Sequence, residues 1–86
     1  MRGISKYDLV MVRWLDTLTY DGWTLPESFG QPENEEMCSI GYFIESGDRY
    51  ISISSMIHLE NGNIIKINQI THIPKKSVLE VRKIKS

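Results

Sequence analysis

The apolar residues of this chain alternate with a period of two more often than with the helical period of 3.6. The stretch "LVMVRWLD", residues 9–16, is the clearest case. One face carries Val10, Val12 and Trp14, and the other carries Leu9, Met11, Arg13 and Leu15. Because both faces are rather apolar, we expect this first strand to be covered on both sides, on the second side by a partner subunit.

The same alternation predicts four further strands, in "MCSIGYFIE", "RYISISSMIHL", "IIKINQITHI" and "LEVRKIK". The second strand would have Cys38, Ile40, Tyr42 and Ile44 on one face. In the third, Ile51, Ile53 and Ile57 would face inward, with Ser52 and Ser54 outward. "SGD" and "ENGN" are predicted hairpin connections, the Asn-Gly pair being the strongest short hairpin signal. "PKKSV" is predicted to form a single tight turn.

The segment between the first two strands, "TLTYDGWTLPESFGQPENEE", breaks the alternation. Asp21-Gly22 is a strong turn dipeptide, and three helix breakers, Pro26, Gly30 and Pro32, exclude a long helix. "PESFG" would form one short helical turn. Long ordered loops in small domains tend to be functional, so this loop is a predicted functional region.

These elements predict an all-β fold, a small five-stranded SH3-like or Sm-like barrel with a long loop after the first strand. The 86 residues make one domain, 1–86. A chain this short buries only roughly 60–65% of its unfolded surface. We therefore expect self-association, as a homo-oligomer of the dimer or tetramer kind.

Composition narrows the possible partners. The net charge is −1, with 10 basic and 11 acidic side chains, which argues against binding long nucleic acids. A small anionic ligand would need only two or three cations. Cys38 is predicted to be a buried thiol in a reducing compartment. Neither a signal peptide nor a membrane span is recognisable, so we expect a cytoplasmic protein.

Asp16 and the two tryptophans could each have a structural or a ligand-binding role. Asp16 would either bond loop amides or contact a purine or ribose hydroxyl. The polar cluster around it, with Thr17 and Tyr20, keeps the second alternative open. Trp14 is predicted to pack in the core. Trp23, which follows Asp-Gly, would either cap the barrel end or stack on a base.

Three cations are candidates for phosphate contacts. Lys75 and Lys76 follow Pro74 at a sharp turn, where they would be solvated charges or a phosphate clamp assisted by free backbone amides. Arg13, on the outward face of the first strand, is a further candidate phosphate contact or interface residue.

Catalytic signatures do not emerge from the sequence. His58 and His72 lack metal-ligand spacing, the serines of "SISS" lack a nucleophile-elbow pattern, and no phosphate-binding glycine motif is present. The acidic "ENEE" run is interpreted as a solvated loop. We therefore expect a protein that is not an enzyme and needs no cofactor or metal.

Four short motifs, taken in order, resemble those of a family of small bacteriophage proteins. They are Trp-x-Asp-Thr at 14–17, Gly-Trp-Thr at 22–24, Ser-Ile-Gly-Tyr at 39–42 and Ile-Pro-Lys at 73–75. The similarity spans about residues 8–84. Thr17 stands where the family often has serine, which preserves the hydroxyl.

The resemblance implies a phage anti-CBASS sponge. Such a protein binds the cyclic dinucleotides of bacterial defence, such as 3′,3′-cyclic GMP–AMP, without cleaving them, and holds the ligand between subunits. The positions that the resemblance carries over are Trp14, Asp16, Thr17, Trp23, Thr24, Ser39, Gly41, Tyr42, Ile73, Pro74 and Lys75. Predicted ligand contacts are Arg13, Asp16, Thr17, Tyr20, Trp23, Thr24, Lys75 and Lys76. The alternatives are an Sm-like RNA-binding oligomer, and a protein-binding module that inhibits a host factor or has a structural role.

Overall fold

The computed structural model describes residues 3–17 and 34–84, which form five β-strands and one short 3₁₀ helix. In chain order these are β1 (Leu9–Thr17), β2 (Asn34–Ser46), β3 (Tyr50–Glu60), β4 (Asn63–Pro74), the 3₁₀ helix (Lys75–Ser77) and β5 (Val78–Lys83). The strands form one antiparallel sheet in the order β4-β3-β2-β1-β5. The all-β prediction is confirmed, and so is the single turn before the last strand.

The sheet is open. β4 and β5 are its two edge strands, and within the described residues no backbone pairing joins them. Closure into a barrel therefore stays a prediction. The predicted long loop, residues 18–33, lies outside the described residues, and so do the Asp21-Gly22 turn and the "PESFG" turn.

The core lies where β1, β2, β3 and β4 meet. Its buried apolar residues are Val10, Val12, Phe43, Ile51, Ile53 and Ile73, with Trp14 packed against them. The predicted face of β1 is thus confirmed, because its two valines are fully buried. Gly41 permits this packing, since a Cβ there would lie 2.8 Å from the Ser54 carbonyl oxygen.

Two predictions about strand faces are wrong. Ser52 and Ser54 are buried rather than outward, so β3 is covered on both sides at this point. Their hydroxyls are satisfied, since Ser52 Oγ lies 2.6 Å from His72 Nδ1 and Ser54 Oγ lies 2.6 Å from the Asn68 carbonyl oxygen. Cys38 is exposed rather than buried, because in β2 it is the opposite face, with Gly41 and Phe43, that meets the core.

The acidic segment before β2 also differs from its prediction. Glu35 and Glu36 belong to β2 and pair with β1, Glu36 lying opposite Leu15. These two residues therefore lie in a strand rather than in a solvated loop, and Glu33 lies outside the described residues. Glu36 is held on the sheet by an ion pair with Arg13 on the neighbouring strand β1.

The β3–β4 hairpin extends well beyond the core. Its tip is the predicted Asn61-Gly62 turn, in which both residues have positive φ (53° and 81°), as a type I′ turn requires. None of the residues from Ser55 to Gln69 is buried. The radius of gyration is accordingly 16.4 Å, whereas a compact chain of this length has about 12 Å. We call residues 55–69 the arm.

Candidate functional site

The start of β3 and the end of β4 are joined at one end of the sheet. Tyr50 lies opposite Pro74 in the β3–β4 register. The Lys75 amide donates a hydrogen bond of 2.8 Å to the Arg49 carbonyl oxygen. Proline suits the end of an edge strand, because it has no N–H to donate there. These contacts bring the "DRY" and "PKK" sequences together.

Between them lies an open cleft of about 490 Å³, lined by Asp48, Arg49, Tyr50, Pro74, Lys75 and Lys76. This volume falls within the range of roughly 300–1,000 Å³ that is usual for small-molecule sites. Three cations face one carboxylate here. Within residues 3–17 and 34–84, none of the three cations forms an ion pair. The cleft is therefore electropositive in a protein whose net charge is −1.

An aromatic side chain forms part of the same cleft. Tyr50 is 48% exposed, and its ring meets the His72 ring edge-on, with centroids 6.3 Å apart and planes inclined at 72°. His72 is in turn held through Nδ1 by the buried Ser52 hydroxyl, at 2.6 Å. This chain of contacts orients the tyrosine while leaving part of its ring accessible.

The combination suits one class of ligand. Guanidinium and ammonium groups bind phosphate oxygens through charge-assisted hydrogen bonds, and the arginine can do so with two parallel bonds. A tyrosine face stacks on a nucleobase without regard to its identity. The cleft can therefore bind a molecule that carries both a phosphate and a planar ring.

Sequence reasoning identified Lys75 and Lys76 in this cleft but missed Arg49 and Tyr50. A usable signal was present in the Asn61-Gly62 turn. If residues are paired one by one outward from this turn, Tyr50 falls opposite Ile73. The bulge after His58 shifts the actual partner by one residue, to Pro74. The prediction that free backbone amides assist the lysines is wrong for Lys75. Its backbone N–H already donates a hydrogen bond to the Arg49 carbonyl oxygen.

Arg13 has a different environment from the cations of the cleft. Its guanidinium forms ion pairs with Glu36 on β2 and, at 2.9 Å, with Glu80 on β5. Glu80 also pairs with Arg82 at 2.8 Å. Glu80 and Glu36 together raise the pKa of Arg13, and Arg82 followed by Arg13 lowers the pKa of Glu80. A phosphate would have to displace carboxylates to reach Arg13.

The remaining predicted contacts are not brought into the cleft. Asp16 lies on β1 opposite Glu35, and Thr17 is the last residue of that strand. Tyr20, Trp23 and Thr24 lie outside the described residues. Trp14 packs against the core as predicted, and its indole N–H donates a hydrogen bond of 3.0 Å to Ser39 Oγ.

Comparison with known proteins gives no relative. No model of a protein family matches the chain, and neither curated proteins nor solved structures give a significant match. In the part of the chain that the structure describes, no three His, Cys, Asp or Glu side chains are grouped as metal ligands. Within the same residues, no helix is long and apolar enough to cross a membrane.

Proposed function

We propose that this protein binds a cyclic dinucleotide, such as 3′,3′-cyclic GMP–AMP, and sequesters it without cleaving it. In this proposal it is a phage-encoded anti-CBASS protein that acts in the cytoplasm of the host cell and is not an enzyme. The observation that carries the proposal is the cleft, which Arg49, Lys75 and Lys76 line together with a half-exposed tyrosine. The resemblance to the phage family supplies the ligand class.

The ligand's chemistry agrees with the cleft. A cyclic dinucleotide carries two phosphates and two bases, so it needs donors for each phosphate and a flat surface for each base. One cleft offers three cations and one ring, which is enough for one nucleotide half. In a two-fold assembly the second subunit would supply the other half. Tyr50 takes the stacking role, and Trp23 and Tyr20 stay as candidates for further contacts.

The barrel belongs to the same proposal. An antiparallel meander in the order β4-β3-β2-β1-β5, with a 3₁₀ helix before β5, is compatible with an incompletely closed SH3-like or Sm-like barrel. In such a layout the cleft would lie at the end of the barrel opposite the Asn61-Gly62 turn. Asp16, Thr17 and Thr24 would then serve a second part of the ligand site.

Calorimetry with 3′,3′-cyclic GMP–AMP tests the proposal. We expect saturable binding by the wild type, with the ligand recovered intact afterwards. Lys76→Ala should weaken binding by at least about tenfold, because one charged hydrogen bond contributes about 1.5–3 kcal/mol.

Lys66→Ala is the matched control, since it removes the same charge from the distant half of β4. We expect it to bind like the wild type. Absence of heat at tens of micromolar ligand, or equal losses in both variants, would contradict the proposal. Retention of single-stranded RNA with a steep salt dependence would favour the RNA-binding alternative instead.

A further inference from the structure

The apolar side of the core continues along the arm, where no other described element covers it. Side chains alternate along a strand, so Ile57 and Leu59 lie on the side of β3 that carries the buried residues Ile51 and Ile53. Across the hairpin, Ile67 lies opposite Ile57, and Ile64 lies opposite Leu59. Leu59 is 52% exposed, and the three isoleucines are only half-buried. The described residues thus leave a four-residue apolar face exposed.

A hairpin in this position needs a partner surface. An isolated two-stranded hairpin is marginally stable in water, and stability requires further strands or a packed face. Among the described residues the arm has no third strand, because β2 pairs with β3 only as far as Ser54. A shallow groove of about 410 Å³ runs across the arm between Met56 and Asn68. The arm therefore has the form of a docking element rather than of a loop.

The charge of the arm indicates which kind of surface covers its apolar face. The arm carries one glutamate and one lysine, Glu60 and Lys66, besides His58. A hairpin with one apolar face and no net charge suits neither a polyanion nor an anionic membrane surface, which require clustered cations. Two copies of it can approach without like-charge repulsion. A two-fold contact between identical surfaces is also the commonest arrangement in homo-oligomers.

We propose that residues 55–69 form an association arm whose apolar face, Ile57, Leu59, Ile64 and Ile67, is covered by a second copy of this chain. The arm tip is about 33 Å from the start of β3, at about 3.3 Å per residue. Ile57 is about 23 Å from Tyr50 by the same rise per residue, so this interface does not include the cationic cleft. It is a second contact, separate from the two-fold contact proposed around the ligand, and measurements without nucleotide test it alone.

Sedimentation or light scattering across a concentration series tests the arm. We expect a wild-type mass of at least twice the 10.0 kDa chain mass at hundreds of micromolar. Ile57→Asp should shift the mass to that of a single chain, because the aspartate would place a charge in the apolar contact. Ile70→Asp is the matched control, because Ile70 lies opposite Ser54 on the other face of the hairpin, is 45% exposed and does not line the groove. It should keep the wild-type mass.

The wild type alone can overturn the proposal. A single-chain mass at every concentration would do so, whatever the variants show. If Ile57→Asp then still lowered the melting temperature of that monomer, the face would be covered by a segment of the same chain. Equal loss of association in Ile57→Asp and Ile70→Asp would likewise contradict the assignment of this face. Circular dichroism of each variant establishes that it has folded.

Discussion

Two groups of cations on this sheet have opposite surroundings. Arg13 lies between β2 and β5, with a carboxylate from each strand on its guanidinium. Arg49, Lys75 and Lys76 line an open cleft beside an exposed tyrosine, without ion pairs in the described part of the chain. Arg13 links neighbouring strands, whereas the cations of the cleft have no carboxylate partner among the described residues. An arginine's function thus depends on its neighbours more than on its charge.

The largest expected effect is on ligand affinity, which should depend on Arg49 in the cleft but not on Arg13. Arg49→Ala should weaken binding of 3′,3′-cyclic GMP–AMP by about 10- to 100-fold, because charged hydrogen bonds to a phosphate contribute about 1.5–3 kcal/mol. Arg13→Ala removes the same charge elsewhere and should change the affinity by no more than about twofold. Calorimetry of both variants measures the difference. A larger loss in Arg13→Ala would reverse the assignment.

The next effect concerns the ring in the cleft. Tyr50→Ala should weaken binding by about tenfold, since stacking of a base on an aromatic side chain contributes about 1–3 kcal/mol. Tyr50→Phe keeps the ring and should bind almost as the wild type does. Fluorescence titration or calorimetry distinguishes them. If Tyr50→Phe lost as much affinity as Tyr50→Ala, the hydroxyl rather than the ring face would be the contact.

A smaller effect is expected on the melting temperature. Here Arg13 should matter more than Arg49, the reverse of their effects on ligand affinity. Arg13→Ala leaves Glu36 and Glu80 without their shared partner and should lower the melting temperature by a few degrees, whereas Arg49→Ala should leave it nearly unchanged. Scanning calorimetry at low and high salt measures this. Salt should diminish the difference, because exposed ion pairs are screened. A difference that salt does not alter would point to packing instead.

The smallest effect is a pH dependence of the Arg13 group. The pKa of Glu80 is lowered in the folded protein by Arg82 and Arg13, so the unfolded chain takes up a proton at higher pH than the folded chain. The stabilisation is therefore present above the ordinary value of 4.5 and is lost as the pH falls below it, through the folded-state pKa. Melting temperatures between pH 7 and 3 should fall less in Glu80→Gln than in the wild type. Equal slopes would show that Glu80 does not contribute.

Much of the strand plan could be predicted, because it depends on local chemistry. Alternation identified five strands, the Asn61-Gly62 pair fixed one hairpin, and Pro74 placed the turn before β5. Alternation shows which residues share a side but not how far each side is covered. For that reason Ser52 and Ser54 were assigned outward although they are buried, and Cys38 inward although it is exposed.

Half of the cleft could be predicted as well. Lys75 and Lys76 stood out because they are adjacent cations after a proline. Arg49 and Tyr50 did not, because their importance comes from the strand register that places them beside the lysines. Trp23, Tyr20 and Thr24 stay predictions, since they lie outside the described residues.

By itself, the sequence determined the all-β class, the strand positions, the turns and the presence of a few candidate cations. These follow from side-chain alternation, backbone preferences of glycine and proline, and composition. Only the tertiary structure decided which cations are neutralised, which serines are buried, and that the apolar face of β3 and β4 continues beyond the core. Such properties depend on which strands become neighbours and on how much surface they cover.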